Sequence, residues 1–186
     1  MCVAGFLSGP FFASADFDYA RAAGRLRSRT FEMSFAHSAH FLGTQEIRLG
    51  FHVGLEWGRP SRWLTFRGRP DILSQEVAGI QLMRSIHGAS GVDVLAVEVG
   101  GRWIGAGNAL KNAYAEAGTG ITIGDGTTID LDARFNVMSY VGFGGYLTPR
   151  PASPRLGIRY VHLSNAGTNR PNYGLNLFQL TYGTRF

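Results

Sequence analysis

The fold class this sequence predicts is all-β: a closed antiparallel barrel of about eight strands. Three observations carry the prediction. Segments that alternate with period two recur along the chain, with large apolar residues on one parity and charges, glycines or hydroxyls on the other. The composition has 26 glycines and 12% aromatic residues against only 17% charged ones, which suits many short strands and tight turns better than a helical bundle. No run of roughly 18 apolar residues occurs, so any crossing of a bilayer must be made with strands closed into a barrel. At 186 residues the length fits one domain.

Taken in order, the expected strands lie near 29–41, 45–57, 62–78, 92–103, 110–123, 128–145, 154–164 and 175–186. In the first, Phe31, Met33, Phe35 and Phe41 oppose Glu32, Ser34 and Ser38, with His37 on the apolar side. In the second, Ile47, Leu49, Phe51, Val53, Leu55 and Trp57 oppose Arg48, Gly50, His52, Gly54 and Glu56. The third is interrupted by Gly68 and Pro70, and 72–86 also reads as helix-compatible. Gly124-Asp125-Gly126 marks a hairpin turn. In the strand that follows, Leu131, Ala133, Phe135, Val137, Val141 and Phe143 share one face, and Asp130, Asp132, Arg134 and Asn136 the other. The proline-rich 149–154 marks another turn, and 154–164 then places Leu156, Ile158 and Tyr160 opposite Arg159. The last strand groups Phe178, Leu180, Tyr182 and Phe186 against Gln179, Thr181, Gly183 and Arg185.

Alternation alone allows a soluble sandwich with its apolar face inward, or a membrane barrel with that face toward lipid. Two further features favour the membrane barrel. Residues 1–15 carry no charge and end Ala13-Ser14-Ala15, which reads as an export signal with its cleavage site, incomplete at its start because no basic n-region precedes it. The mature domain is then 16–186, and the alternating C-terminal stretch that closes on Phe186 resembles the terminal signature of bacterial outer-membrane barrels. The single cysteine, Cys2, falls inside the signal, leaving the mature chain without a disulfide or a thiolate metal site. The net charge of +5 comes almost wholly from arginines scattered singly, which argues against a nucleic-acid surface and equally suits an anionic lipid head group.

No acid follows Asp132, and this acid-free tail contains His162-Leu163-Ser164-Asn165-Ala166-Gly167. By strand parity His162 and Ser164 continue the face of Leu156, Ile158 and Tyr160, and Asn176 joins them from the next strand. With the C-terminus in the periplasm, the 165–173 connection lies outside and the pair sits at outer-leaflet depth. A polar pair turned toward lipid is costly enough to suggest function, although polar residues near the interface cost little.

That string, followed by Arg170-Pro171-Asn172 and Gly174-Leu175-Asn176, resembles the active-site segment of the outer-membrane lipid A 3-O-deacylases of the PagL type. Tyr114-Ala115-Glu116-Ala117-Gly118-Thr119-Gly120 resembles that family more loosely. The resemblance implies an eight-stranded outer-membrane barrel that hydrolyses the 3-O-linked acyl ester of lipid A without a cofactor or metal. It also implies Ser164 as nucleophile, His162 as general base, and Asn165 with nearby backbone N–H groups at the oxyanion hole. The family's pattern places a glutamate where this chain has Asn176, so the residue that orients His162 would be a neutral amide. The implied partners are lipopolysaccharide and the outer membrane, with a homodimer left open. Two other readings stay open: a catalytically weak or inactive barrel with a lipid-binding or structural role, and a soluble ligand-carrying barrel.

Other constellations carry less. His37 and His40 differ in parity, so they are not expected to share a metal. His52 reads as a hydrogen-bonded interior residue. Asp125, Asp130 and Asp132 lack the spacing of a calcium loop and read as a turn aspartate plus lumen charges paired with Arg134 and Arg159. Gly105-Ala106-Gly107 lacks the third glycine of a nucleotide-binding turn.

Overall fold

A computed structural model describes residues 27–38, 46–57, 72–87, 91–105, 112–128, 130–148, 153–168, 170 and 173–186. The expected signal at 1–15, as well as His40 and Phe41, lie outside the described residues. Eight strands run in chain order: β1 (Arg27–Ser38), β2 (Ile47–Trp57), β3 (Ile72–His87), β4 (Val94–Gly105), β5 (Ala113–Gly124), β6 (Phe135–Tyr146), β7 (Arg155–Ser164) and β8 (Leu175–Arg185). Each pairs antiparallel with the next, and β8 pairs with β1 to close the barrel. The backbone N–H of Phe186 donates to the Arg29 carbonyl at 3.0 Å, so the terminal aromatic is tied into the seam. Closure leaves no unpaired edge, the condition a sheet must meet to sit in hydrocarbon.

The faces divide as alternation requires. Val53, Leu55, Ile80, Val97, Ile121, Phe135, Val141, Phe143, Leu156, Ile158, Phe178 and Leu180 are exposed on the outer wall. The lumen has two layers. Toward the rim that carries both strand termini, Arg102 bridges Glu56 and Glu116, Arg159 bridges Glu116 and Glu32 at 2.9 and 3.2 Å, and Arg155 bridges Glu32 and Glu56 at 3.1 Å each. Arg185 adds a 2.8 Å bond to Glu56, and the guanidinium of Arg159 lies 4.5 Å over the Tyr140 ring. All of these side chains except the half-buried Arg185 are buried, so each charge depends on its partners for the solvation it has lost. His52, an expected interior residue, is buried in this lumen with Nε2 3.3 Å from Glu98 Oε1. Toward the opposite rim the lumen holds the buried Arg48–Glu46 ion pair and an apolar plug that includes Met83, Val94, Leu131, Met138, Val161, Leu163, Leu175 and Leu177.

Two expected segments differ from the structure. The third strand was expected at 62–78 and is found at Ile72–His87, so the helix-compatible stretch is a strand. Its neighbours decide this, because β2 and β4 both pair along it and supply the hydrogen bonds a helix would have made internally. The sixth strand begins at Phe135, not near 128. Thr128 Oγ1 accepts from the backbone N–H groups of Asp130 and Leu131 at 3.1 and 2.9 Å, curling the chain into a loop. Leu131 therefore packs into the plug and does not face lipid, and Asp130, Asp132 and Arg134 belong to the loop and not to the lumen wall. Arg159 finds its acids in Glu32 and Glu116, and Arg134 is exposed.

Candidate active site

β7 and β8 meet in a register that sets His162 directly opposite Asn176. A directly opposed antiparallel pair has its Cβ atoms about 5 Å apart on the same face, close enough for side chains to touch. They do: His162 Nδ1 lies 2.8 Å from Asn176 Oδ1. An amide oxygen only accepts, so Nδ1 carries the proton and donates it, leaving the Nε2 lone pair free to act as a base. The Tyr160 hydroxyl donates to the same Oδ1 at 2.6 Å, and its ring packs 5.4 Å from that of Phe178. Two donors converging on one oxygen favour the amide orientation that presents oxygen, not NH2, to the imidazole.

Ser164 lies two residues beyond His162 on the same wall, about 6.8 Å along the strand from the rise of about 3.4 Å per residue. It is half-buried, as are His162 and Asn176. The structure joins His162 to Asn176, and leaves Ser164 beside them without a hydrogen bond to the imidazole. Behind this face, Val161, Leu163, Leu175 and Leu177 all point into the apolar plug and are fully or almost fully buried. The polar outer triplet therefore sits on a backbone pinned from inside. Across the strand pair on the other side, His162 faces Ser139 and Ser164 faces Val137.

Asn165 points the other way. Its side chain is buried, donating from Nδ2 to Asp132 Oδ1 at 2.6 Å and accepting at Oδ1 from the Gly167 N–H at 2.8 Å. Its carbonyl accepts from the Thr168 N–H at 3.1 Å and from Thr168 Oγ1 at 2.8 Å. Ala166 and Gly167 then take positive φ angles of 54° and 78°. Asn165 thus shapes the loop that leaves Ser164, and only its backbone is available to a group bound beside Ser164. Asp132 reaches this loop, and among the described residues no carboxylate is hydrogen-bonded to His162.

Three further residues bear on this site: Gly174, Tyr160 and Asp132. Gly174 has φ +73°, and a Cβ there would meet His162 Cε1 at 2.7 Å and the Leu163 carbonyl at 3.0 Å. Its bare backbone makes room for the imidazole. Tyr160 carried a weak signal, since it shares the parity of His162 two residues before it. Asp132 carried none, because loop geometry brings it to Asn165 from another part of the chain. Among the described residues no cluster of three or more metal-ligating side chains occurs.

A closed eight-stranded antiparallel barrel with an apolar outer wall defines an outer-membrane-type barrel, and this one carries a hydrogen-bonded His–Asn pair with a serine beside it at one rim. The family described as Lipid A 3-O-deacylase (PagL) matches residues 45–185, and the chain belongs to that family. Its place is the bacterial outer membrane. The lipid A deacylase PagL of Bordetella bronchiseptica (strain ATCC BAA-588 / NCTC 13252 / RB50) is 42% identical over 76 residues, which span 39% of this chain and 41% of that protein. The match thus covers less than half of that relative's length. The crystal structure of the outer membrane enzyme PagL shares the fold, with a TM-score of 0.55 and 22% identity over 82% of this chain and 98% of that one.

Proposed function

We propose that this barrel hydrolyses the ester holding the 3-O-linked acyl chain of lipid A, with Ser164 as nucleophile, His162 as general base and Asn176 as the residue that orients the base. The observation that carries the reading is the 2.8 Å contact between His162 Nδ1 and Asn176 Oδ1, made on the outer wall beside Ser164. Membership of the lipid A 3-O-deacylase family supplies the substrate class.

In this mechanism the Ser164 hydroxyl turns toward Nε2 as substrate binds, a contact that commonly tightens only in the reacting complex. Nε2 takes the hydroxyl proton as Oγ attacks the ester carbonyl. Backbone N–H groups at Asn165 and Ala166 face the developing oxyanion, and the Asn165 side chain holds their loop in place. Collapse breaks the bond to the sugar oxygen, which leaves with the proton from His162. Water, deprotonated by the same imidazole, then frees the fatty acid and restores Ser164.

Asn176 holds the tautomer but brings no negative charge to the imidazolium. In a serine protease the exchange of Asp for Asn lowers kcat about 10⁴-fold, largely through the wrong tautomer. With the Tyr160 hydroxyl donating to Oδ1, the amide orientation found here keeps Nδ1 protonated, and the missing charge remains as a deficit. The neutral residue also favours a second reading, a barrel that binds lipopolysaccharide with little or no turnover. Lipid A mass spectra from cells expressing the native chain or Ser164→Ala separate the two. Loss of one 3-O-acyl chain with the native chain only is the expected result; identical spectra from both would sink the enzyme reading.

A further inference from the structure

The outer wall carries a second polar feature, far from His162. Among the described strand residues, Glu76 is the one carboxylate whose parity turns it outward, in line with Ile80 and Leu82 on β3. It stands opposite Trp57 on β2 and Gly101 on β4, and Gly101 in turn stands opposite Ala117 on β5. The Trp57 indole Nε1–H donates to Glu76 Oε2. The small residues in this row leave a groove of about 570 Å³, walled by Trp57, Trp103, Val99 and Thr119 with Glu76 at its edge. Trp57 ends β2 and Trp103 lies two residues from the end of β4, so the groove sits near the rim where β1 begins and β8 ends. His162 and Ser164 lie near the other rim, in the opposite leaflet.

Among the described residues, a lone outward carboxylate set in a groove between two tryptophans is a feature that strand alternation alone does not require. Two tryptophans place this one at interface depth, where head groups lie. We infer that the groove is a binding site for a phospholipid with a primary ammonium head group, ethanolamine in chemical class. The carboxylate supplies charge and accepts N–H hydrogen bonds, which a quaternary ammonium could not donate. The Trp faces supply cation–π attraction. Gly101 and Ala117 leave depth for the glycerol and the first methylenes of the acyl chains. A phosphoglycerol head group, with no cation to offer, meets Glu76 unfavourably. The inference stands apart from the catalytic reading, since it uses the other rim and other residues.

The test is native mass spectrometry on the full barrel in detergent, titrated with short-chain phosphatidylethanolamine, phosphatidylcholine or phosphatidylglycerol. One phosphatidylethanolamine per barrel should be retained, with phosphatidylglycerol at least tenfold weaker and phosphatidylcholine between them. Glu76→Gln should lose at least tenfold in affinity for phosphatidylethanolamine, while folding, read by heat-modifiable gel mobility, is kept. Ala117→Leu fills the groove from the lipid side without touching a charge and should abolish retention, an independent reading if Glu76→Gln folds poorly. Equal retention of all three lipids, or native-like retention by either folded variant, overturns the inference. So does a dimer that Glu76→Gln dissociates, because the groove would then belong to a second copy of the chain.

Discussion

Gly174→Ala tests how closely the loop before β8 is fitted to the imidazole. The added Cβ would stand 2.7 Å from His162 Cε1, against an ordinary carbon–carbon contact of about 3.5–4.0 Å. The Leu163 carbonyl at 3.0 Å blocks escape in the other direction, so the ring must yield by about 1 Å. A misplacement of that size costs about 10²-fold in rate. The backbone adds its own penalty, since φ +73° costs a residue with a Cβ about 1–2 kcal/mol. Gly167→Ala separates the two effects. Gly167 has φ +78°, but a Cβ there meets nothing within 4 Å. Both variants therefore carry similar backbone strain, and only one disturbs His162. The assay is release of the 3-O-acyl chain from purified lipid A by detergent-folded barrel, with folding checked by gel mobility. Gly174→Ala should fall about 100-fold below native and Gly167→Ala should stay within about threefold. A Gly174→Ala enzyme within threefold of native would refute the fit between Gly174 and the base.

Asn176→Glu restores a charge against the imidazolium and should match or exceed native deacylation; a clear loss in kcat would show that the pocket has adapted to the amide. Tyr160→Phe removes the second donor to Asn176 Oδ1 and should lower kcat about five- to tenfold, from a hydrogen bond worth about 1 kcal/mol. The same change made together with Asn176→Glu should cost less, because a carboxylate presents oxygen either way, and equal losses in both backgrounds would count against the orienting role. Asp132→Ala removes the acceptor of the Asn165 Nδ2–H bond and should lower kcat with little change in KM, as charged hydrogen bonds contribute about 1.5–3 kcal/mol; unchanged kcat would show that the loop holds itself. Arg159→Leu strips Glu116 and Glu32 of a shared buried cation and should destabilise the barrel by about 3–5 kcal/mol, read as a lower midpoint in urea unfolding in micelles. An unchanged midpoint would mean that the lumen network contributes little.

The sequence by itself determined the alternating strands, because the two faces of a strand meet opposite surroundings and their residue types must alternate; the export-like start and the terminal Phe186 then favoured the barrel over a sandwich. It also determined which face His162, Ser164 and Asn176 share, since parity propagates along a strand. The family resemblance, read from the same tail, identified Asn176 as the place where a carboxylate was expected. Parity failed where the chain stopped being a strand: Leu131, Asp132 and Arg134 alternate on paper, yet the Thr128 turn curls them into a loop. It failed also at β3, whose 72–86 stretch fits either period until β2 and β4 supply partners on both sides. Only the tertiary structure decided the rest. Register between β7 and β8 sets His162 against Asn176 and not against a neighbour two residues away. Loop closure brings Asp132 to Asn165 and Gly174 to the imidazole, and Tyr160 becomes part of the site only because β8 carries Asn176 within reach of its hydroxyl. Each of these is a contact between segments far apart along the chain, fixed by how the barrel closes.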